Sequence, residues 1–134
     1  MKILFMILMA AMTAGCATTT GSAGDMVAAS SPAVTGTYTG SLWSKSVVCP
    51  VTTTITQHEG VLSGSYVFVT GTGEEVPGTL DSFRALGEDR ITCTWHDRFG
   101  SGDLILDFSA DGTTFAGRWR NSKHPEWHDW SGAR

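Results

Sequence analysis

The sequence has little positive charge, and this excludes one broad class of partner. Lysine and arginine together number 9 in 134 residues, against 13 aspartates and glutamates. A protein that binds nucleic acids in general needs a basic face to neutralise phosphates. The acidic surplus therefore argues against DNA or RNA as a partner.

Motifs for catalysis and redox chemistry are also missing. The chain contains no G-x-S-x-G nucleophile motif, and its three cysteines, Cys16, Cys49 and Cys93, form no C-x-x-C pair. We therefore predict that the protein is not an enzyme and carries no cofactor. The enzymatic alternative, a hydrolase acting on envelope polymers, requires paired carboxylates or a nucleophile in a cleft, and the sequence signals neither.

No apolar run is long enough to cross a bilayer. Residues 3–12 are apolar and span roughly 15 Å as a helix, about half of a bilayer core. Lys2 precedes them, and the small residues Thr13, Ala14 and Gly15 follow. This pattern is typical of a secretory signal. As an ordinary signal peptide, it would be cleaved near Gly15 or beyond.

The junction TAGC resembles the lipobox of bacterial lipoproteins, in which small residues precede a lipid-modified cysteine. The family usually has leucine three places before that cysteine, where this sequence has Thr13. The resemblance implies that residues 1–15 are a signal peptide and that Cys16 begins the mature chain, carrying acyl chains such as palmitate. Such chains anchor a protein durably to a membrane. Because Ala17 rather than aspartate follows, the resemblance also implies the periplasmic face of the outer membrane.

Composition divides the mature chain into two parts. Residues 16–33 are rich in threonine, serine, alanine and glycine without an apolar period, which predicts a flexible tether. Residues 34–134 suffice for one domain with one core. Loss of Lys2 with the leader leaves 8 basic against 13 acidic residues, a net charge near −5.

Apolar and polar residues alternate with period two through most of residues 34–134. In VVCPVTTTITQH, for example, Cys49, Val51 and Ile55 alternate with polar residues. Turn signals recur about every eight to twelve residues, and no helical period is present. The pattern predicts an all-β domain, an antiparallel meander of about eight strands in a closed or nearly closed barrel. A two-sheet sandwich is the alternative.

The phrases GTYTG and GVLSGSY are similar to stretches of avidin-like and other calycin β-barrels. That resemblance implies the architecture and an alternative function, the binding of a small apolar ligand inside the barrel. Such a function requires a cavity. The large side chains Trp95, Phe108, Phe115 and Trp119 predict a filled core instead.

Cys49 and Cys93 both fall on the apolar side of their strands. If Cys16 carries lipid, they remain as an even pair in an exported chain. Paired thiols in an oxidising compartment usually join. We therefore predict a structural disulfide between Cys49 and Cys93.

Two WHD triplets and the segment HPEWH are the candidates for chemistry. On a strand, neighbouring side chains face opposite ways, so each histidine turns away from its own aspartate. We expect an inward tryptophan and an outward histidine in both triplets. His124 and His128 are about 13 Å apart if the segment is extended, and Pro125 opposes a helix. We therefore predict no metal site.

The C-terminal stretch combines tryptophan with basic residues in a chain that is otherwise acidic. This pattern predicts a contact surface, for which the candidates are Arg118, Arg120, Lys123, Trp127 and Trp130. By alternation we expect Trp127 to face the core and Trp130 to face solvent. The partner would be an envelope protein or glycan. The sequence as a whole predicts a lipid-anchored envelope protein with a binding or structural role at the membrane surface.

Overall fold

Each strand of the domain pairs with the strands that precede and follow it. In the computed structural model, which describes residues 34–134, the strands are β1 (Gly36–Ser44), β2 (Val47–His58), β3 (Val61–Val69), β4 (Glu75–Ala85), β5 (Arg90–Asp97), β6 (Gly100–Phe108), β7 (Thr114–Asn121) and β8 (His128–Ala133). All neighbouring pairs are antiparallel, and β1 also pairs with β8, from Thr39 opposite Ala133 to Leu42 opposite Trp130. The predicted eight-stranded closed meander is confirmed. The predicted signal peptide, the predicted lipidation site Cys16 and the predicted tether lie outside the described residues.

The period-two pattern forms these strands because it gives each one an apolar inner face and a polar outer face. On β6, Leu104, Leu106 and Phe108 are buried in the lumen. Asp103 and Asp107, which alternate with these buried residues, face outward. There the Asp103 carboxylate pairs with an arginine of β7, and the Asp107 carboxylate pairs with an arginine of β5.

The turn between β6 and β7 contains an Asp-Gly pair, which is typical of tight hairpins. Asp111 Oδ1 accepts hydrogen bonds from Ser109 Oγ at 2.8 Å, from Thr113 Oγ1 at 2.7 Å and from Thr113 N at 3.1 Å. These bonds hold the pKa of Asp111 at about 2. Gly112 follows with a φ of 70°, which favours glycine.

The turn between β5 and β6 comes before the glycines Gly100 and Gly102, although glycine is typical of turns. The chain turns at Arg98–Phe99, and Gly100 already pairs with Asp97 at the start of β6. Glycine often marks a break in the chain. Here Gly100, with a φ of 136°, is the first residue of the strand.

An antiparallel meander sends its loops alternately to two ends. We call one the open end; it carries the β1–β2, β3–β4, β5–β6 and β7–β8 loops. The other, the closed end, carries the remaining three loops together with residues 34 and 134.

At the closed end the Tyr38 ring packs edge-on against Phe108 and Phe115, with ring centroids 5.9 and 5.2 Å away. All three side chains are buried, so this end is filled.

The predicted disulfide is not found. Cys49 on β2 and Cys93 on β5 are both buried on the inner face, as expected, but both are free thiols. Burial raises the pKa of each thiol. Strands β3 and β4 lie between them in the sheet. The alternation of a strand fixes which side of the wall a residue faces, whereas a disulfide also needs two Cβ atoms about 4 Å apart.

Candidate functional site

The open end of the barrel contains a cavity of about 450 Å³. Aromatic side chains from five strands and from the β5–β6 turn form most of its lining. We call it the aromatic cup; its rings are those of Trp43, Tyr66, Phe68, Trp95, Phe99, Trp119, His128 and Trp130. The expectation of a filled core therefore holds only for the closed end. Trp95 belongs to the buried core and Trp119 packs against it, and both also line the cup.

A cross-strand glycine makes room for one of these rings. Tyr66 on β3 lies opposite Gly78 on β4. A Cβ placed on Gly78 would stand 2.1 Å from Cζ of the Tyr66 ring, so the ring occupies the space of the missing side chain. The Tyr66 ring can thus lie against β4.

Hydrogen bonds fix the two wall tryptophans in place. Trp95 Nε1 donates to the Arg120 carbonyl at 3.0 Å, and Trp119 Nε1 donates to the Trp43 carbonyl at 3.1 Å. The two indoles meet edge to face, with centroids 5.4 Å apart. Because each N–H is bonded to backbone in the wall, swinging the ring into the lumen would cost that bond.

The floor of the cup is equally constrained. Trp130, buried in mid-barrel, donates from Nε1 to Thr53 Oγ1 at 3.1 Å. Its ring packs edge-on against Tyr66 at 4.7 Å. Below this layer begins the filled closed end, so the cup has a solid apolar base.

One carboxylate lies inside the cup. Asp97 is half-buried; its Oδ2 accepts from the Tyr66 hydroxyl and its Oδ1 from the Phe99 amide, both at 2.8 Å. Burial, followed by the hydrogen bond to Asp97, raises the pKa of Tyr66 far above its ordinary range. Tyr66 therefore keeps its proton and serves as a fixed donor to Asp97.

The rim is built around Phe99, whose side chain is 39% exposed. Lys45 Nζ lies 4.2 Å from the ring centroid and Arg98 Cζ lies 4.8 Å from it. The Arg98 guanidinium binds Glu74 through two bonds of 2.5 and 2.6 Å. This contact lowers the pKa of Glu74 and raises that of Arg98. A second cavity of about 290 Å³ shares Phe99 and Lys45 with the cup.

The two WHD triplets differ in orientation. In the first, Trp95 faces inward and His96 outward, as predicted, and His96 lies 3.1 Å from a carboxylate oxygen of Asp81. The second is reversed, and our expectation for it was wrong. His128 faces the cup, stacked on Trp43 at 4.3 Å, while Trp127 is exposed.

The predicted contact surface is corrected by the same reversal. Trp130 is 2% exposed and Trp127 is 36% exposed, the opposite of the expectation. The alternation is kept, but its phase is opposite to the expectation: the positions of His128 and Trp130 face inward, and that of Trp127 faces outward. Trp130 Nε1 has its hydrogen-bond partner, Thr53 Oγ1, inside the barrel. Outside the barrel, Arg120 and Arg118 lie over the Trp127 ring at 4.7 and 5.8 Å. These three residues do form one surface.

The remaining candidate residues fall at or near the rim. Lys123 is exposed in the β7–β8 loop, and His124 and Glu126 line the mouth of the cup. Within residues 34–134, no group of three or more histidine, cysteine, aspartate or glutamate side chains is placed to hold a metal ion. The same part of the chain contains no helix that is long and apolar enough to cross a membrane.

Sequence analysis missed Asp97 and Tyr66 as site residues. The signal was present, since Asp97 follows Trp95 by two positions and therefore continues the inner face of β5. Comparison of the chain with family models, with curated proteins and with solved structures finds no match. The geometry of the cup is thus the basis for assigning a function.

Proposed function

We propose that the protein binds a small organic molecule in the aromatic cup. The observation that carries this proposal is the cavity of about 450 Å³, which is open at one end and lined mainly by rings. Sites for small ligands are typically concave, mostly apolar and roughly 300–1,000 Å³ in volume, with a few polar groups to orient the ligand. The cup has this character, and Asp97 is its inner polar group.

The fixed rings favour binding further. A site whose side chains are already held in place loses little conformational freedom when it takes a ligand. Trp95, Trp119 and Trp130 are each held by an indole hydrogen bond to the wall. The proposal agrees with the ligand-binding alternative that the resemblance to calycin barrels implies.

The cup also suits a protein tethered at its N-terminal side. Residue 34 lies at the closed end, so an anchor on Cys16 would attach on the side opposite the cup. We propose that the barrel is held at the envelope membrane in this way, with the cup facing away from its attachment.

Cys16→Ser should abolish lipid labelling and release the protein from membranes. Wild-type mature mass and membrane fractionation in the variant would contradict the anchor.

The five tryptophans provide a direct test of binding. Four of them line the cup, and Trp127 lies outside it. A panel of small aromatic compounds, neutral and charged, would be titrated while the indole N–H resonances are recorded by NMR. We expect Trp95, Trp119 and Trp130 to shift with a compound that binds, and Trp127 to stay unchanged as an internal control.

Phe99→Ala offers a matched loss-of-function variant, because its side chain is exposed and its removal should leave the barrel folded. Val67→Ala, an exposed apolar side chain on the outer face of β3, is the control. Binding should weaken in the first and not in the second. A panel in which no compound shifts the cup resonances would overturn the proposal.

A further inference from the structure

We infer that the ligand of the cup carries a positively charged nitrogen. The inference rests on the proposed function, since it concerns the same cavity, and it specifies the chemical class of the ligand. Three features of the cup point to a cation: its balance of charge, the partners of Asp97 and the faces of its rings.

The charge of the lining is negative. The charged side chains that line the cup are Lys45, Asp97 and Glu126, which gives one positive against two negative charges when its histidines are neutral. Lys45 is already engaged, because its ammonium lies over the Phe99 ring and helps to lower the pKa of Glu74. The interior of the cup is therefore short of positive charge.

The carboxylate of Asp97 has only neutral partners. Its oxygens accept from the Tyr66 hydroxyl and the Phe99 amide, and no cationic side chain of residues 34–134 forms an ion pair with it. The neighbouring Arg98 is bound to Glu74, and Asp97 is the smallest of the causes that raise the pKa of Arg98. A carboxylate in an apolar cavity without a counter-ion favours a ligand that supplies one.

The aromatic rings, like the carboxylate, favour a cationic ligand. The face of an aromatic ring carries negative partial charge and attracts a cation placed over it, tryptophan most strongly. Lys45 over Phe99 at 4.2 Å shows this contact at the rim. Trp95, Trp119 and Trp130 line the same cavity as Asp97. An alkylammonium group fits these surroundings, since its methyl or methylene groups contact the rings while its charge faces the carboxylate.

A pair of isosteres tests the inference. 4-tert-Butylphenol and (4-hydroxyphenyl)trimethylammonium have nearly the same shape and differ in one positive charge. Each would be titrated into the protein at about pH 7.5, above the ordinary range of histidine and below that of phenols, with the indole resonances as the readout. We expect the trimethylammonium compound to bind about tenfold tighter, as ring faces and a carboxylate together would provide.

Two variants locate the origin of that preference. Asp97→Asn keeps a polar group of the same size and should remove most of the preference, with little effect on the neutral compound. Glu88→Gln removes a charge from the exposed β4–β5 loop at the closed end, away from the cup, and should leave the preference in place. If Asp97→Asn does not fold, the comparison of the two isosteres with the wild type still tests whether the cup prefers a cation.

The outcomes separate the inference from the function on which it rests. Equal or tighter binding of the neutral compound would overturn the cationic ligand and leave the proposed binding function intact. A preference that survives in folded Asp97→Asn would also overturn the role of the carboxylate. If neither isostere, nor any compound of the wider panel, shifts the cup resonances, the proposed function itself fails.

Discussion

At the closed end of the barrel three aromatic rings pack against one another, whereas at the open end the rings lie against the wall and leave a cavity. Residue type does not explain the difference, because both ends are built from large aromatic side chains. The two ends differ in the polar atoms of their rings and in the partners of those atoms. At the closed end only Tyr38 has a polar atom, and its hydroxyl contacts the Val34 and Gly112 carbonyls, while its ring packs against two phenylalanines.

At the open end the partners lie in the wall itself. Trp95 and Trp119 donate to backbone carbonyls of β7 and β1, which ties each indole to a neighbouring strand. A buried N–H left without a partner costs more than one bond is worth, so these rings are restrained from collapsing inward. Hydrogen bonds to the wall thus help to keep this aromatic end of the barrel open.

The sharpest contrast between the two ends is expected from truncating one ring at each. Phe115→Ala removes a buried ring that packs on Tyr38 and Phe108, and should cost about 3–5 kcal/mol of unfolding free energy. Phe99→Ala at the exposed rim should cost less than about 1 kcal/mol, since little buried area is lost. Urea unfolding of both variants measures this. Similar losses at both ends would refute the contrast.

Filling the space under a cup ring should have a smaller but clear effect. A Cβ on Gly78 would stand 2.1 Å from the Tyr66 ring, so Gly78→Ala should cost about 1–3 kcal/mol and displace Tyr66 from Asp97. Gly87→Ala is the control, because a Cβ there meets nothing within 4 Å. Thermal unfolding and the Tyr66 ring resonances report both effects. An unshifted Tyr66 in Gly78→Ala would contradict this account.

Removing one hydroxyl at each end compares the polar contacts directly. Tyr38→Phe leaves the Val34 and Gly112 carbonyls without this donor in a filled end, and should cost about 1–3 kcal/mol. Tyr66→Phe deprives Asp97 of a donor beside a cavity that water can enter, and should cost about 0.5–1.5 kcal/mol. Denaturant titrations of the two variants show which of them loses more unfolding free energy. A larger loss for Tyr66→Phe would reverse the comparison.

The smallest expected effect is a pH dependence at the closed end. Hydrogen bonds from Thr113 and Ser109 lower the pKa of Asp111 from 3.8 to about 2. Because the folded pKa is the lower one, the stabilisation is present above about pH 4 and is lost as the pH falls through 2. Melting temperatures between pH 2 and 6 should therefore fall less in Asp111→Asn than in the wild type. Parallel curves would argue against this contribution.

The fold was predictable because its signals are local. Alternation and turn residues lie within a dozen positions, and the predicted second strand, 47–58, has the bounds of β2. The orientation of Trp127 and Trp130 was not predictable, because both alternate positions of this segment carry tryptophan and the pattern therefore does not show which of them faces the core. The cavity depends on contacts that no local pattern records, such as the bond between Trp119 and Trp43, which are 76 positions apart.

The closure of the barrel has a consequence for how its chain can be rearranged. Residue 134 leaves the barrel beside residue 35, and Arg134 donates from Nη1 to the Thr35 carbonyl. The seam between β1 and β8 is therefore built like the seven others. A circular permutant that joins these ends by a short peptide and opens the chain at Glu59–Gly60, also at the closed end, should rebuild the same barrel. The loops around the cup would be untouched, so the new termini would leave its mouth free.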